Sequence, residues 1–167
     1  MARPAFPFVP KSNRELLPGD YWDIPLACGK FACGRVIQLP SRVGAGARTS
    51  FLAGVMDWCG DEPPNDRAIV GVRTLRQGTA HILSIAHVGG RVLGNRSLEL
   101  DGVEPQEFLD SSGGGPNTLR MRGLDIIGPA SIDERQRLPA ISTWGMAFAK
   151  VVAEQRFCAG SGGHQRE

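Results

Sequence analysis

Between residues 16 and 100, apolar and polar positions alternate in short runs, each broken off by glycine or proline. Trp22, Ile24 and Leu26 recur at every second position. Ala32, Gly34 and Val36 do the same, out of step with Phe31, Cys33 and Arg35. A period of two is that of a strand with its two faces in different surroundings. The pattern predicts strands over 20–26, 31–39, 50–58, 68–73 and 79–88, with a further one over 91–100. Gly44-Ala45-Gly46, Glu62-Pro63-Pro64 and Gly89-Gly90 punctuate them. The first two strands form a hairpin turning at Cys28-Gly29-Lys30. Pro25 has no N–H to donate and requires an edge or a bulge. Gly34 allows the sharp bend that closes small barrels. The expected fold class is mainly β, or α+β: an SH3-like barrel or strongly bent antiparallel sheet with a C-terminal helix.

The rest of the chain divides around that core. Residues 1–17 read as an extended N-terminal arm, because Pro4, Pro7 and Pro10 exclude regular pairing. Residues 18–110 form the β-rich core. Residues 111–118, around Ser111-Ser112-Gly113-Gly114-Gly115-Pro116-Asn117, read as a flexible loop. Residues 119–158 form a C-terminal segment, and 159–167 a disordered tail. Within the segment, Ser131 and Glu134 have capping-box spacing for one short helical turn, stopped by Pro139. Thr143 is placed to cap a helix running to about Arg156. Its residues Trp144, Phe148, Val151, Val152 and Gln155 fall at helical spacing, with Lys150 and Glu154 opposite. The apolar side is expected to pack on the sheet.

Composition narrows the function classes. A chain of 167 residues, 41% hydrophobic, can bury a core without disulfides or metals. Its 22 Gly and 12 Pro favour many short strands. Net charge is +2 and nearly all basic residues are arginines: Arg35, Arg48, Arg67, Arg73, Arg91, Arg120 and Arg135 are scattered among acidic residues. A nucleic-acid binder gathers such charge into a stripe, so a nucleic-acid-binding β-barrel stands only as the second-choice function. No apolar run suits a signal peptide or the ~18 residues of a membrane span. The expectation is a cytoplasmic chain whose four cysteines stay reduced. Asn95-Arg96-Ser97 then matches a glycosylation acceptor by coincidence.

Candidate chemistry is sparse. Cys28-x4-Cys33 would supply half a zinc site, but Cys59 and Cys158 each stand alone in the sequence. The plain reading is packing cysteines, with a cross-hairpin disulfide or zinc as the alternatives. His81 and His87 lie in the run TAHILSIAHV. On a strand they would be about 20 Å apart and unable to share a metal. As a base for Cys59 or Cys33, either would make a small hydrolase, the least favoured alternative. Gly44-Ala45-Gly46-Ala47-Arg48 lacks the third glycine and following helix of a dinucleotide loop, and Gly113-Gly114-Gly115 lacks a P-loop ending. No catalytic residue, metal, cofactor or small-molecule substrate is expected. The acidic segment MDWCGDEPPND is more suggestive, because Asp57, Asp61, Glu62 and Asp66 surround Trp58. Glu99, Asp101, Glu104, Glu107 and Asp110 add a second acidic stretch. Carboxylates around an aromatic anchor suit an interface that steers in a basic partner and buries the ring. The bland alternative is a loop acidic for solubility, with Trp58 in the core.

The stretch GDYWDIPLACGKFACGRVI resembles the start of bacterial immunity proteins of the immunity protein 26 family. The matching positions are Gly19, Asp20, Trp22, Ile24, Pro25, Leu26, Gly29, Phe31, Gly34, Arg35 and Val36. SFLAGVMDW resembles that family's middle strand, and GGRVLGNRSLEL its closing segment, with Ser97-Leu98 in place of Pro-Leu. The likeness spans about residues 19–110. It implies a binding protein that neutralises a cognate toxin of a bacterial competition system. It implies no catalytic residue.

Overall fold

The structure, a computed structural model, describes residues 2–41, 48–111 and 114–159. The glycine stretch 44–47, residues 112–113 of the central loop and the tail from 160 lie outside the described residues.

Among the described residues, eight strands form two antiparallel sheets. The first contains β1 (Asp20–Pro25), β2 (Phe31–Gln38), β3 (Ser50–Gly60), β4 (Thr74–His81) and β5 (Val92–Asn95), in the order β4-β3-β2-β1-β5. The second contains β6 (Glu107–Leu109), β7 (Leu119–Arg122) and β8 (Asp125–Pro129), in chain order. Among the described residues there are also three α-helices, α1 (Leu83–His87), α2 (Ile132–Arg137) and α3 (Phe148–Phe157), and two single turns of 3-10 helix, Asn13–Glu15 and Glu99–Asp101. The class is as expected, an antiparallel sheet protein with a C-terminal helix, but the sheet is open rather than a closed barrel. Its outer strands do not meet. Among the described residues, β5 is bridged only by Phe8 of the N-terminal arm, and β4 only by Thr143.

The β1–β2 hairpin turns as its sequence predicts, with Gly29 at φ +82 and its N–H on the Leu26 carbonyl at 3.0 Å. The alternation also holds. Trp22, Ile24, Leu26, Ala32 and Val36 join one apolar cluster, and Cys33 and Ile37 the other. Pro25 ends β1 beyond the reach of β5, whose pairing covers Asp20 to Trp22, so it pairs with β2 alone and has the edge position it requires. Gly34 makes room for a ring: a Cβ there would lie 2.2 Å from Trp22.

Three expectations require correction. Residues 68–73 are not a strand. Asn65 Oδ1 accepts the N–H groups of Arg67 and Ala68, each at 3.0 Å, and this Asx turn consumes the donors a strand would offer. The run 79–88 divides: β4 ends at His81, and Ser84 Oγ donates to the His81 carbonyl at 2.6 Å as α1 begins. Ile82, Ile85 and Val88 then face the core three residues apart, a helical period that a short apolar run does not distinguish from a strand. Thr143 caps no helix. It bridges Thr79 in parallel, Trp144 N–H donates to the Thr79 carbonyl at 2.7 Å, and the Trp144 ring lies where Gly78 has no Cβ. The helix starts only at Phe148 and packs on the sheet as expected. The Ser131–Glu134 capping box of α2 is present, and the helix stops before Pro139.

The cysteines differ most from expectation. Cys28, in the β1–β2 turn, forms a disulfide with Cys158 at the end of α3, with Cα atoms 5.8 Å apart. The cross-hairpin partner Cys33 is excluded by the pleat, which points it to the opposite face and buries it fully. Cys28 and Cys158 are therefore not packing thiols, and Cys28 is no zinc ligand.

Candidate protein-binding surface

The first half of β3 is buried and its last four residues, Asp57 to Gly60, are half-buried. The strand thus carries the acidic segment outward from the core. Asp57 is on this projecting strand rather than in a loop. Its carboxylate accepts from Arg156 Nε at 3.2 Å and lies 3.6 Å from Arg73 Nη2. Trp58 packs half-buried against the second apolar cluster, its ring close over Gly60, where a Cβ would come within 2.6 Å. Asp61 and Glu62 are exposed in the turn that follows and form no ion pair among the described residues. Asp66 has a different task. It accepts the Tyr21 hydroxyl at 2.7 Å and ties the 66–71 turn to β1. Burial, then the bond to the Asp66 carboxylate, pushes the Tyr21 phenol well above its ordinary range.

The five residues predicted to bind a partner therefore separate. Asp57 is internally neutralised, Asp66 is a structural acceptor, Trp58 is a half-buried anchor, and Asp61 and Glu62 carry the available charge. The second acidic stretch separates further. The Asp101 side chain is buried, accepting from Arg35 Nη1 at 2.8 Å, Arg96 Nε at 2.9 Å and the Gly71 N–H at 2.9 Å. Burial pushes this carboxyl up, but the bonds from Arg96, Gly71 and Arg35 outweigh it and hold the pKa below the usual carboxylate range. Arg35 is fully buried and donates to the Arg96 carbonyl. Spacing gave no sign of this cluster, since 66 residues separate Arg35 from Asp101.

A second feature escaped the sequence. An open cleft of about 520 Å³ lies between the N-terminal arm, β1, β5 and the 65–67 turn. Phe6 and Leu93 give it apolar walls, and Tyr21, Asp66, Arg67 and Asn95 polar ones. Asn95 matched a glycosylation acceptor, but its Nδ2 is engaged with Asp20 Oδ1 at 2.8 Å and the Pro18 carbonyl at 3.1 Å. The one available signal was Tyr21, the only tyrosine, next to Trp22 and so on the opposite face of β1.

The thiols and histidines do not assemble. Burial pushes the Cys33 thiol well up, and burial likewise raises Cys59. His81 pairs with Ser50 at the start of β3, whereas Cys59 lies nine residues along that strand. That separation is about 30 Å at ~3.3 Å per residue. His81 Nδ1 accepts the Leu83 N–H at 3.1 Å, opening α1, and His87 closes that helix. No group of three or more His, Cys, Asp or Glu that could hold a metal occurs among the described residues. No helix among them is long and apolar enough to cross a membrane.

Comparison with known proteins returns no matching family model, no similar curated protein and no similar solved structure.

Proposed function

We propose that this protein is an immunity protein: it binds a cognate bacterial toxin and neutralises it by occupying its active site or an adjacent surface, without chemistry of its own. The observation that carries this reading is the contrast among the carboxylates. Asp57, Asp66 and Asp101 are satisfied internally, while Asp61 and Glu62 stand exposed at the end of β3 beside half-buried Trp58. Unneutralised charge beside an aromatic anchor attracts a basic surface and then excludes water from the contact. The hairpin resemblance points the same way, because the residues that carry it are framework of a binding protein. A tight complex would bury about 1,200–2,000 Å². We place this encounter in the cytoplasm, although the Cys28–Cys158 disulfide departs from the reduced cysteines expected there.

Ion pairing argues against a nucleic-acid partner. Arg3, Arg35, Arg73, Arg96, Arg120, Arg122, Arg137 and Arg156 face protein carboxylates, half of the sixteen arginines, and the others are scattered along the chain rather than gathered into a stripe.

The test is rescue. The C-terminal domain of the neighbouring open reading frame is expressed in a bacterial host with and without this chain, and survivors are counted. Restored growth is the expected result. Killing that persists beside folded protein would remove the pairing.

A further inference from the structure

We infer that the Cys28–Cys158 pair is a redox modification site that latches the C-terminal end of α3 onto the β1–β2 turn, and that a dithiol reductant opens it. The inference goes beyond toxin binding and does not depend on it.

The geometry favours access at one sulfur. Cys28 is exposed, and the adjoining Gly29 faces open space, with nothing within 4 Å of a Cβ placed there. Cys158 is half-buried at the helix end. A thiolate of a dithiol oxidoreductase would attack Sγ of Cys28. The S–S bond breaks, Cys158 leaves as a thiolate and takes a proton, and a mixed disulfide forms at Cys28. The reductant's second thiol then displaces Cys28. Two electrons and two protons reach the protein, and the reductant becomes a disulfide. In a cytoplasmic chain such bonds act as sensors rather than permanent staples.

The two ends of α3 are held by different means. Near the start, the buried Trp144, Ala149 and Ala153 join the apolar cluster, with the Trp144 ring against Gly78. At the far end Phe157 packs only partly buried against the same cluster, and the remaining ties are the disulfide and two partly exposed polar links. Ala27 N–H donates to Glu154 Oε1 at 2.8 Å, and Arg156 reaches Asp57 at 3.2 Å. Exposed links of that kind hold a helix weakly once the covalent bond is gone. Lifting this end uncovers Cys59, which pairs with Ala32 on the face of β3 that α3 covers. It also releases Asp57 from Arg156, so the latch sets how much charge the end of β3 presents.

Cys59 reports the state of the latch without any partner. The oxidised protein, the same protein after dithiothreitol, and the double variant Cys28→Ser/Cys158→Ser are pulsed with iodoacetamide under native conditions. Modification at Cys59 is followed by peptide mass spectrometry. The expected result is labelling at Cys59 about tenfold faster in both opened forms, because local opening governs access to a half-buried thiol. Cys33, fully buried, should stay unlabelled and shows that the core is intact. If the variant does not fold, the reduced wild type carries the comparison. Equal Cys59 rates in oxidised and reduced protein would overturn the latch. In cells, thiols are trapped by acid quench and alkylation before and after an oxidant pulse. The expected change is from four alkylated cysteines to two. A bond already complete before the pulse, or one that never forms, would overturn the switch.

Discussion

The two faces of the five-stranded sheet are closed by opposite means. On one, Trp22, Ile24, Val36, Phe51 and Val55 meet α1, α3 and the arm in an almost wholly apolar cluster. Trp22 and Phe51 cross edge-on at 5.6 Å, and the Cys28–Cys158 bond fastens the rim. On the other face, Leu52, Met56, Ile69 and Phe108 are apolar, but the centre is ionic, with the side chains of Arg35 and Asp101 both buried. Burial alone stabilises the first face at about 25 cal/mol per Å² of apolar area. The second depends on each hydrogen bond to its buried charges, because an ion taken out of water is tolerable only while its partners remain. An apolar face tolerates exchanges of similar volume. An ionic one is sensitive to single atoms.

The largest expected effect follows from breaking that ionic centre. Asp101→Asn leaves Arg35 buried without a counter-charge and should cost about 3–5 kcal/mol. Urea denaturation reads this as a fall in midpoint with little change in slope. Arg35→Met combined with Asp101→Leu removes both charges and should cost markedly less than Asp101→Asn alone. Equal losses would show that the pair is not coupled. The acid limb of the stability curve gives a second reading. Because the folded Asp101 pKa lies below its unfolded value, its contribution is complete above the unfolded pKa. That contribution is lost as pH falls through the folded pKa. Asp101→Asn should flatten that limb.

The apolar face breaks by overfilling. A Cβ at Gly34 meets the Trp22 ring at 2.2 Å, and Trp22 is buried with no room to move aside. Gly34→Ala should cost about 1–3 kcal/mol. A shift of the thermal midpoint under 2 °C would mean that the ring has somewhere to go, at about 2–4 °C per kcal/mol for a chain of this length.

What the sequence made legible follows the same division. Period-two alternation found β1, β2 and most of β3, because local spacing alone decides which side of a strand is buried. It missed β6, β7 and β8. β6 is three residues long, and β8 exposes Ile126 and Ile127, so neither shows an alternation of buried and exposed positions. The run 79–88 misled because the same apolar residues satisfy a strand and a helical turn until Ser84 closes on His81. The contacts joining distant parts were not legible at all. Arg35–Asp101, Tyr21–Asp66 and Cys28–Cys158 are separated by 66, 45 and 130 residues, and nothing local marks one member for the other. Of the proposed site, the residue types around Trp58 were legible. Which carboxylates are already engaged was settled only by tertiary pairing.

A smaller effect tests where the two faces meet the surface. Tyr21→Phe removes the hydroxyl that holds Asp66 and should cost about 1 kcal/mol, the usual net worth of one hydrogen bond. Amide exchange should rise over 66–71 and stay unchanged in β3. A rise spread through β3 would show that Tyr21 supports the whole face rather than one turn.

The smallest stability effect belongs to the residues with the largest proposed role. Asp61 and Glu62 touch neither face, so Asp61→Asn/Glu62→Gln should leave stability within about 0.5 kcal/mol, as surface changes generally do. Their effect should appear in association. With a basic toxin domain, removing two steering charges slows the on-rate several-fold at low salt, leaves the off-rate nearly unchanged, and loses its influence as salt screens the field. Asp57→Asn is the internal control. Its charge is already opposed by Arg156 and Arg73, so its effect on the on-rate should be the smaller one. If Asp57→Asn slows association as much as the pair does, the pairing with Arg156 is not neutralising it in solution, and the charge map of this surface must be redrawn around β3 rather than its tip.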